Sequence, residues 1–225
     1  MTFLELCQEL RRESGAAGTG PTAVTSQTGE NLRLVNWVKE SWRRIQRARD
    51  TWRWMRADAA GYSLVAGTAS YLRSAIVASR FGRWIRDSIF LVHPTTSMKV
   101  YPEFMEWDKF RLNFLHGATP DNSQPQWFSI APDESLYFHP PPDVAYVLRA
   151  SYQKSAQELT ANADEPEMPE DFHMAIVYGA LMLYARYEAA QEILGEAKQS
   201  YTSEMQRLER TQLERMDAFT ETLVE

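Results

Sequence analysis

The apolar residues of this sequence follow a helical period near both ends and a strand period in the middle. One helical series steps by four, four and three residues: Leu34, Val38, Trp42 and Ile45. That spacing is typical of a helix with one buried face. A strand series alternates instead: Tyr146, Leu148, Ala150 and Tyr152. The two periods predict an α+β fold, in which N- and C-terminal helices form a helical bundle with an inserted antiparallel β-sheet subdomain.

The change of period divides the chain into four predicted regions. Residues 1–60 hold N-terminal helices and a long Gly/Thr loop, and residues 61–157 form a β-rich insertion with one helix. Residues 158–210 supply C-terminal helices that complete the bundle. Residues 211–225 form an extended docking tail, because the apolar phase slips after Arg210.

Short aromatic or β-branched segments bounded by Gly, Pro or Asp predict five strands of one antiparallel sheet: residues 62–65, 87–92, 126–130, 135–138 and 145–152. Residues 136–152 are predicted to form a hairpin with the prolines at its turn. One long helix is predicted over residues 30–56. A shorter amphipathic helix over residues 103–115 offers these side chains for burial: Phe104, Trp107, Phe110, Leu112 and Phe114.

Residues 15–29 contain four glycines, a proline and several Thr and Ser residues, which predict a long loop. No strand precedes the glycines and no Gly-Lys-Ser/Thr follows them, so the pattern argues against a phosphate-binding loop. Long loops without secondary structure usually serve a purpose. We interpret this loop as a surface arm that contacts a neighbouring chain, with these candidate interface residues: Gly18, Thr19, Pro21 and Val24.

The charge balance and the cysteine content argue against several classes of protein. The net charge is −6, and residues 158–225 alone hold 15 acidic and 5 basic side chains. An acidic balance argues against a free-standing nucleic-acid-binding protein. The single cysteine, Cys7, excludes an internal disulfide framework and a zinc site with several thiolates. We expect no membrane association, because no segment has the roughly 18 consecutive apolar residues of a membrane span and the first residues lack a signal-peptide pattern.

The predicted helix over residues 30–56 carries arginines between its tryptophans. The arginines are Arg43, Arg44, Arg47, Arg49, Arg53 and Arg56. We interpret the tryptophans as a buried ridge and the arginines as a solvated or subunit-bridging face, with Arg43 and Arg47 as candidate interface residues. The alternative is a surface that stacks on single-stranded nucleic acid, for which interleaved aromatic and basic residues are typical.

No pattern predicts a catalytic residue, a cofactor or a metal site. The four histidines are scattered and include no pair at metal-ligand spacing: His93, His116, His139 and His173. The sequence contains neither a Gly-x-Ser-x-Gly nucleophile motif nor a cofactor fingerprint. We therefore expect a structural protein rather than an enzyme. A wall-degrading glycosidase with Glu103 and Glu106 as its acid and base stays an alternative, because aromatic residues surround that carboxylate pair.

Several segments resemble a known family through their order and spacing rather than through any one motif. They are TFLELC at residues 2–7, GTGP at 18–21, GENLRLVNWV at 29–38, WRWM at 52–55, the tyrosine-rich residues 137–152, and MPEDFH at 168–173. Together they resemble head–tail adaptor (connector) proteins of tailed bacteriophages. The resemblance implies a mostly helical subunit with a β insertion. It also implies a location at the head–tail interface of the virion, after synthesis in the host cytoplasm.

The resemblance further implies a set of partners. Copies of the chain, usually twelve, would form a ring between the portal protein and a downstream neck or tail protein. DNA would pass through an axial channel without sequence-specific binding. In such families the C-terminal segment commonly reaches the portal, which makes these residues candidates for portal docking: Leu213, Met216, Phe219, Leu223 and Val224.

Two further expectations concern the channel and the exact role. We expect acidic residues from 158–225, rather than the arginine face, to line the channel, because every neutralised phosphate adds affinity for DNA and slows its passage. Another neck component, such as a stopper or tail-completion protein, is an alternative within the same class. A nucleic-acid-binding accessory protein is an alternative from a different class.

Overall fold

The computed structural model describes residues 1–117 and 121–213. The chain divides into two compact units. Of the described residues, the helical unit contains 1–55 and those from Ala156 onward, and the β unit contains those between 56 and 155. None of the helices among the described residues combines the length and the apolar composition that a membrane span requires.

The described residues form six α-helices. Their bounds are α1 (Phe3–Glu13), α2 (Gly29–Arg47), α3 (Arg73–Ile76), α4 (Trp107–Phe110), α5 (His173–Tyr187) and α6 (Gln191–Gln212). Short 3-10 turns lie at Arg53–Met55, Arg86–Ser88 and Glu170–Phe172, and a π-helical turn at Arg111–Leu115 continues α4. The long helices α1, α2, α5 and α6 build the helical unit, whereas α3 and α4 are single turns within the β unit.

The helical unit is organised around α5, against which α1, α2 and α6 all pack. The predicted ridge on α2 is confirmed, because its four residues are buried in one continuous core: Leu34, Val38, Trp42 and Ile45. Thr2 begins α1 with a capping box. Its hydroxyl accepts a hydrogen bond from the Glu5 N–H at 3.3 Å, and its own N–H donates to Glu5 Oε2 at 2.8 Å.

Helix α2 ends at Arg47, so the predicted helix over residues 30–56 is too long. The reason lies in Trp52, which is fully buried and stacks on Trp54 with ring centroids 4.4 Å apart. The Trp52 indole N–H donates to the Ile45 carbonyl oxygen at 3.0 Å, and the Ala48 N–H donates to the same oxygen at 3.2 Å, where the next residue of a longer helix would have donated instead. Returning a large aromatic ring to the core buries more apolar surface than continuing an exposed helix would.

Eleven short strands occur among the described residues of the β unit. They are β1 (Arg56–Asp58), β2 (Tyr62–Ser63), β3 (Ser70–Tyr71), β4 (Phe81–Trp84), β5 (Phe90–Val92), β6 (Lys99–Val100), β7 (Glu103–Phe104), β8 (Trp127–Ile130), β9 (Leu136–His139), β10 (Val147–Arg149) and β11 (Ser151–Lys154). They form three sheets with the strand orders β1-β11-β4, β2-β10-β5-β6 and β3-β9-β8-β7. The pairings are antiparallel except for β7 with β8. The α+β fold class is confirmed, whereas the single five-stranded sheet is wrong.

The predicted strand over residues 145–152 is two strands in different sheets. Strand β10 pairs with β2 and β5, whereas β11 pairs with β1 and β4, so the chain changes sheets at the buried residue Ala150. The predicted hairpin over residues 136–152 is also wrong, because β9 pairs with β3 and β8. In the segment between β9 and β10, the carbonyl oxygens of Pro141 and Pro142 accept hydrogen bonds from the N–H groups of Ser123 and Gly67, respectively. Prolines have no N–H to extend a strand ladder, and the carbonyl oxygens of these two prolines bond to other loops instead.

The predicted helix over residues 103–115 begins as strand β7 and becomes helical only at Trp107. The Glu103 N–H donates to the Gln126 carbonyl at 2.7 Å, and the Met105 N–H donates to the Phe128 carbonyl at 2.9 Å. These bonds to the neighbouring chain segment take the place of the first helical turn. A partner distant in sequence therefore overrides the local helical pattern.

Candidate functional site

Glu103 and Glu106 are both exposed to solvent, one on the edge strand β7 and the other immediately before α4. A glycosidase acid needs a sheltered pocket that raises its pKa. The exposed positions of these two carboxylates do not provide such a pocket. Across residues 1–117 and 121–213, no group of three or more His, Cys, Asp or Glu side chains is placed to hold a metal ion.

Two of the histidines have packing roles. His173, at the start of α5, lies with Nδ1 2.9 Å from the Met1 amine and Nε2 3.1 Å from the Met168 carbonyl oxygen. The Met1 ammonium can only donate and a carbonyl oxygen can only accept, so the ring accepts at Nδ1 and donates at Nε2. Burial lowers the pKa of His173. His139 stacks on Phe114 with ring centroids 3.7 Å apart, and burial lowers the pKa of His139 as well. Both rings thus have structural partners.

The Gly/Thr loop has an exposed tip, and the residues that follow the tip pack and hydrogen-bond to the helical unit. Pro21 and Val24 are buried. The Val24 N–H donates to Asn162 Oδ1 at 2.7 Å, and the Pro21 carbonyl accepts from Gln8 Nε2 at 3.1 Å. Gly18 and Thr19 are exposed and offer a surface to another chain. Contact of this loop with a neighbouring chain stays a prediction.

The arginine face on α2 is smaller than the sequence predicted. Arg43, Arg44 and Arg47 are exposed on the helix, whereas Arg49, Arg53 and Arg56 lie beyond its end. Arg44 Nε donates to Glu40 Oε1 at 2.8 Å. The role of Arg43 and Arg47 as interface residues stays a prediction.

The tryptophans between these arginines are poorly placed to bind nucleic acid. Trp42 and Trp52 are buried in the helical core, and Trp37 and Trp54 are half-buried against it. Stacking on bases requires an exposed ring face. The interleaved pattern is therefore explained by packing within the chain.

A cleft of about 130 Å³ lies beside Arg43, between α2 and the segment 157–160. Its lining comprises Lys39, Trp42, Arg43, Gln157, Glu158, Leu159 and Thr160. Gln46 fixes the two sides to each other, because its Nε2 donates to the Gln157 carbonyl at 3.0 Å and its Oε1 accepts from the Gln157 N–H at 2.6 Å. Sequence reasoning missed this cleft, since residues 157–160 are far from α2 in the chain.

Leu213 is the one predicted portal-docking residue within the described part of the chain. It follows the end of α6, packs against the helical core, and donates its N–H to the Glu209 carbonyl at 3.0 Å. The other four lie outside the described residues: Met216, Phe219, Leu223 and Val224. Docking of the tail on the portal stays a prediction.

Sequence reasoning missed an apolar surface on the β unit. Leu112 and Leu115 lie on the π-helical turn and are 66% and 40% exposed, although Leu112 was offered for burial by the helical pattern. A cavity of about 200 Å³ beside the turn is lined mainly by Phe110, Phe114 and Phe138. A π turn shifts the helical phase, so the pattern misassigns the residues within it. The sequence signal that could have revealed this surface is the excess of apolar residues from 110 to 115, since one helix face cannot bury them all.

A family model described as SU10 adaptor protein matches residues 1–223, a range that includes both the helical unit and the β unit. No curated protein matches the chain.

Proposed function

Because the chain belongs to the SU10 adaptor protein family, we propose that its copies form a ring between the portal and the tail or neck of a tailed bacteriophage and leave an axial channel for DNA. Membership of a phage adaptor family makes the chain a structural component of the virion. The observation that carries the proposal is the extent of the match. It includes both units, so the adaptor role applies to the chain as a whole.

The two units carry unlike surfaces, which supports assembly into a ring. Subunits of a ring meet head to tail, so each needs two different complementary surfaces. Among the described residues, the β unit exposes apolar side chains such as Leu112, and the helical unit exposes arginines on α2. The partners in this proposal are other copies of the chain, the portal protein and a downstream neck or tail protein.

The charge distribution supports a channel lined by acidic residues. Residues 158–225 carry a large excess of Asp and Glu, and many of their described acidic side chains are exposed. An acidic wall repels the DNA backbone, so DNA passes without being held. In this proposal the α2 arginines lie away from the channel.

Electron microscopy of the purified full chain, alone and mixed with its portal protein, tests the ring. The expected result is a closed ring seated on the portal, with twelve as the expected number of copies and a mass that light scattering confirms. A chain that stays monomeric in both samples contradicts the ring. A chain that binds another neck protein but not the portal indicates a stopper or tail-completion protein instead.

Filter binding to DNA over a series of salt concentrations tests the nucleic-acid alternative. We expect little retention of DNA at physiological salt. Tight binding that weakens steeply as salt rises would support an accessory DNA-binding protein, because released counterions drive such complexes.

A further inference from the structure

The exposed face of α2 carries two arginines, Arg43 and Arg47, of which the first has only long ion pairs and the second has none among the described residues. Arg43 lies 3.6 Å from Glu40 and 3.8 Å from Glu158, which are long, solvent-exposed contacts. Arg47 forms no ion pair with any residue that the structure describes. Arginines four residues apart on a helix are neighbours and repel each other. We call Arg43 and Arg47 the basic pair.

The cleft beside the basic pair contains further hydrogen-bond donors. Trp42 forms part of its wall, and the Trp42 indole N–H is buried without a hydrogen-bond partner. Lys39 lies at the same cleft and forms no ion pair within residues 1–117 and 121–213. The Glu158 carboxylate lines the same cleft but pairs with Arg43 only at 3.8 Å, so the Lys39 ammonium and the Arg43 guanidinium still favour a further acceptor with negative charge. A carboxylate has that chemistry.

An acidic counterpart lies on α6 of the same unit. Glu192 and Glu196 are exposed, are four residues apart, and form no ion pair with the described residues. We call them the acidic pair. They repel each other for the same reason as the arginines do. Each helix thus carries two like charges at the same spacing, with opposite signs on the two helices.

Neither arginine of the basic pair lines the cavity that α2 forms with α6. Arg44, the residue after Arg43, lines a cavity that it shares with Tyr201 of α6. Arg43 lies on a different side of α2, where it faces Glu158. Successive residues on a helix point about 100° apart, so Arg43 lies about 100° from Arg44, and Arg47 lies between the two. The acidic pair is exposed and forms no ion pair with the described residues, so it is open to another copy of the chain.

We propose that the basic pair and its cleft bind the acidic pair of the next copy, and that this contact joins subunits head to tail. The proposal rests on the proposed ring and identifies two of the surfaces that close it. Both pairs have the same spacing, about 5 to 6 Å between Cβ atoms, so two ion pairs form together when the helices lie side by side. The contact uses a different surface on each partner, as a closed ring requires.

Two charge-reversed chains test this contact. The first carries Arg43→Glu and Arg47→Glu, and the second carries Glu192→Arg and Glu196→Arg. We expect self-association of each alone to weaken by at least about tenfold, because like charges then face each other. In an equimolar mixture every contact regains opposite charges, so alternating copies should assemble again. Light scattering and electron microscopy measure both results.

The control chain carries Arg86→Glu and Arg149→Glu, an equal charge reversal on exposed residues of the β unit that are not neighbours of its exposed apolar side chains in the sequence. It should assemble like the unmodified chain. Circular dichroism and thermal unfolding establish that each variant is folded, and recovery in the mixture is itself proof of folding. Neutral variants, Arg43→Gln with Arg47→Gln, should show an intermediate loss.

The outcomes separate this contact from the ring itself. Assembly by each reversed chain alone, or failure of the mixture to recover while the control assembles, overturns the contact and leaves the ring intact. An unmodified chain that never assembles, even with the portal, overturns both. Loss in each variant with recovery in the mixture supports the contact.

Discussion

The helical unit and the β unit bury apolar side chains to different extents. Four helices of 11 to 22 residues share one continuous core in the helical unit. The β unit divides its strands of two to four residues among three sheets. Six of the eight large apolar side chains exposed in the described part of the chain belong to the β unit: Val65, Leu72, Met98, Tyr101, Leu112 and Leu115.

Element length explains the difference. A long amphipathic helix covers the apolar face of its neighbour over several turns, whereas a strand of two or three residues covers little of the next sheet. The β unit therefore leaves more of its large apolar side chains exposed than the helical unit does. An adaptor with one unit of each kind can hold different partners by different physical means.

The largest expected effect comes from matched core truncations, Leu34→Ala in the helical unit and Leu148→Ala in the β unit. Both side chains are fully buried, in separate cores. Each change should lower the free energy of unfolding by about 2 to 5 kcal/mol. If the units unfold separately, hydrogen exchange followed by mass spectrometry will show faster exchange only in the unit that carries the change. Faster exchange throughout the chain in both variants would show that the two units unfold together.

A tightly packed glycine in the β unit should give the next largest effect. A methyl group on Gly82 would lie 2.8 Å from the Gln153 carbonyl oxygen and 3.1 Å from that of Lys154, on the paired strand β11. Backbone atoms cannot rotate away, so Gly82→Ala should cost about 1 to 3 kcal/mol in chemical denaturation. Gly117→Ala is the control, because a methyl group there meets no atom within 4 Å. Equal stability of the two variants would contradict the close strand contact.

A glycine in the helical unit provides a matching test, in which a side chain rather than backbone atoms fills the space beside the glycine. A methyl group on Gly179 of α5 would overlap the Ser41 hydroxyl of α2. Gly179→Ala should cost about 0.5 to 2 kcal/mol, because the better helix propensity of alanine offsets part of the clash. Ser41→Ala in the same chain removes that hydroxyl without placing a glycine inside α2, and should recover most of the loss.

The control for this pair of changes is Gly195→Ala on α6, where a methyl group meets no atom within 4 Å. That variant should gain about 0.5 to 1 kcal/mol from helix propensity alone. Urea unfolding compares the three variants. A loss at Gly179 that Ser41→Ala does not relieve would place the tight contact elsewhere.

The smallest effect concerns pH. Burial lowers the pKa of His173 in the folded helical unit, so the unfolded chain takes up a proton first as pH falls below the ordinary histidine value of about 6.5. The contribution of His173 to the free energy of unfolding is present above a pH of about 6.5. It is lost as the pH falls toward the lower pKa that His173 has in the folded chain. The nearby Met1 ammonium acts in the same direction, and Glu170 opposes it.

Urea midpoints at pH 7.5 and 5.5 measure this dependence. His173→Gln should reduce the difference between the two midpoints. His139→Gln is the comparison in the β unit, because burial lowers the pKa of His139 too. An unchanged pH dependence in His173→Gln would show that the ring does not titrate as described.

The buried ridge of α2 was predictable because it depends on residues close in the chain. Leu34 and Trp42 are brought to one side by the helical period itself, whatever the rest of the molecule does. The end of α2 was not predictable in that way. It depends on Trp52 returning to the Ile45 carbonyl, which competes with further helix.

The candidate site divides in the same manner. The arginines of α2 were visible in the sequence as a basic face, and Arg43 and Arg47 are exposed as such a face requires. The cleft beside them depends on Gln157 bonding to Gln46 across a long separation in sequence. No local sequence pattern predicts the contact between Gln46 and Gln157.

The sequence by itself determined the α+β class, the helical ends and the strand-rich middle, because periodicity decides which faces can be buried in each element. The tertiary structure alone decided where the chain changes sheets at Ala150, that Pro21 and Val24 anchor their loop, and which apolar side chains stay exposed on the π turn. Those choices follow from competition between partners distant in sequence for the same hydrogen bonds and the same buried space, which only the assembled fold resolves.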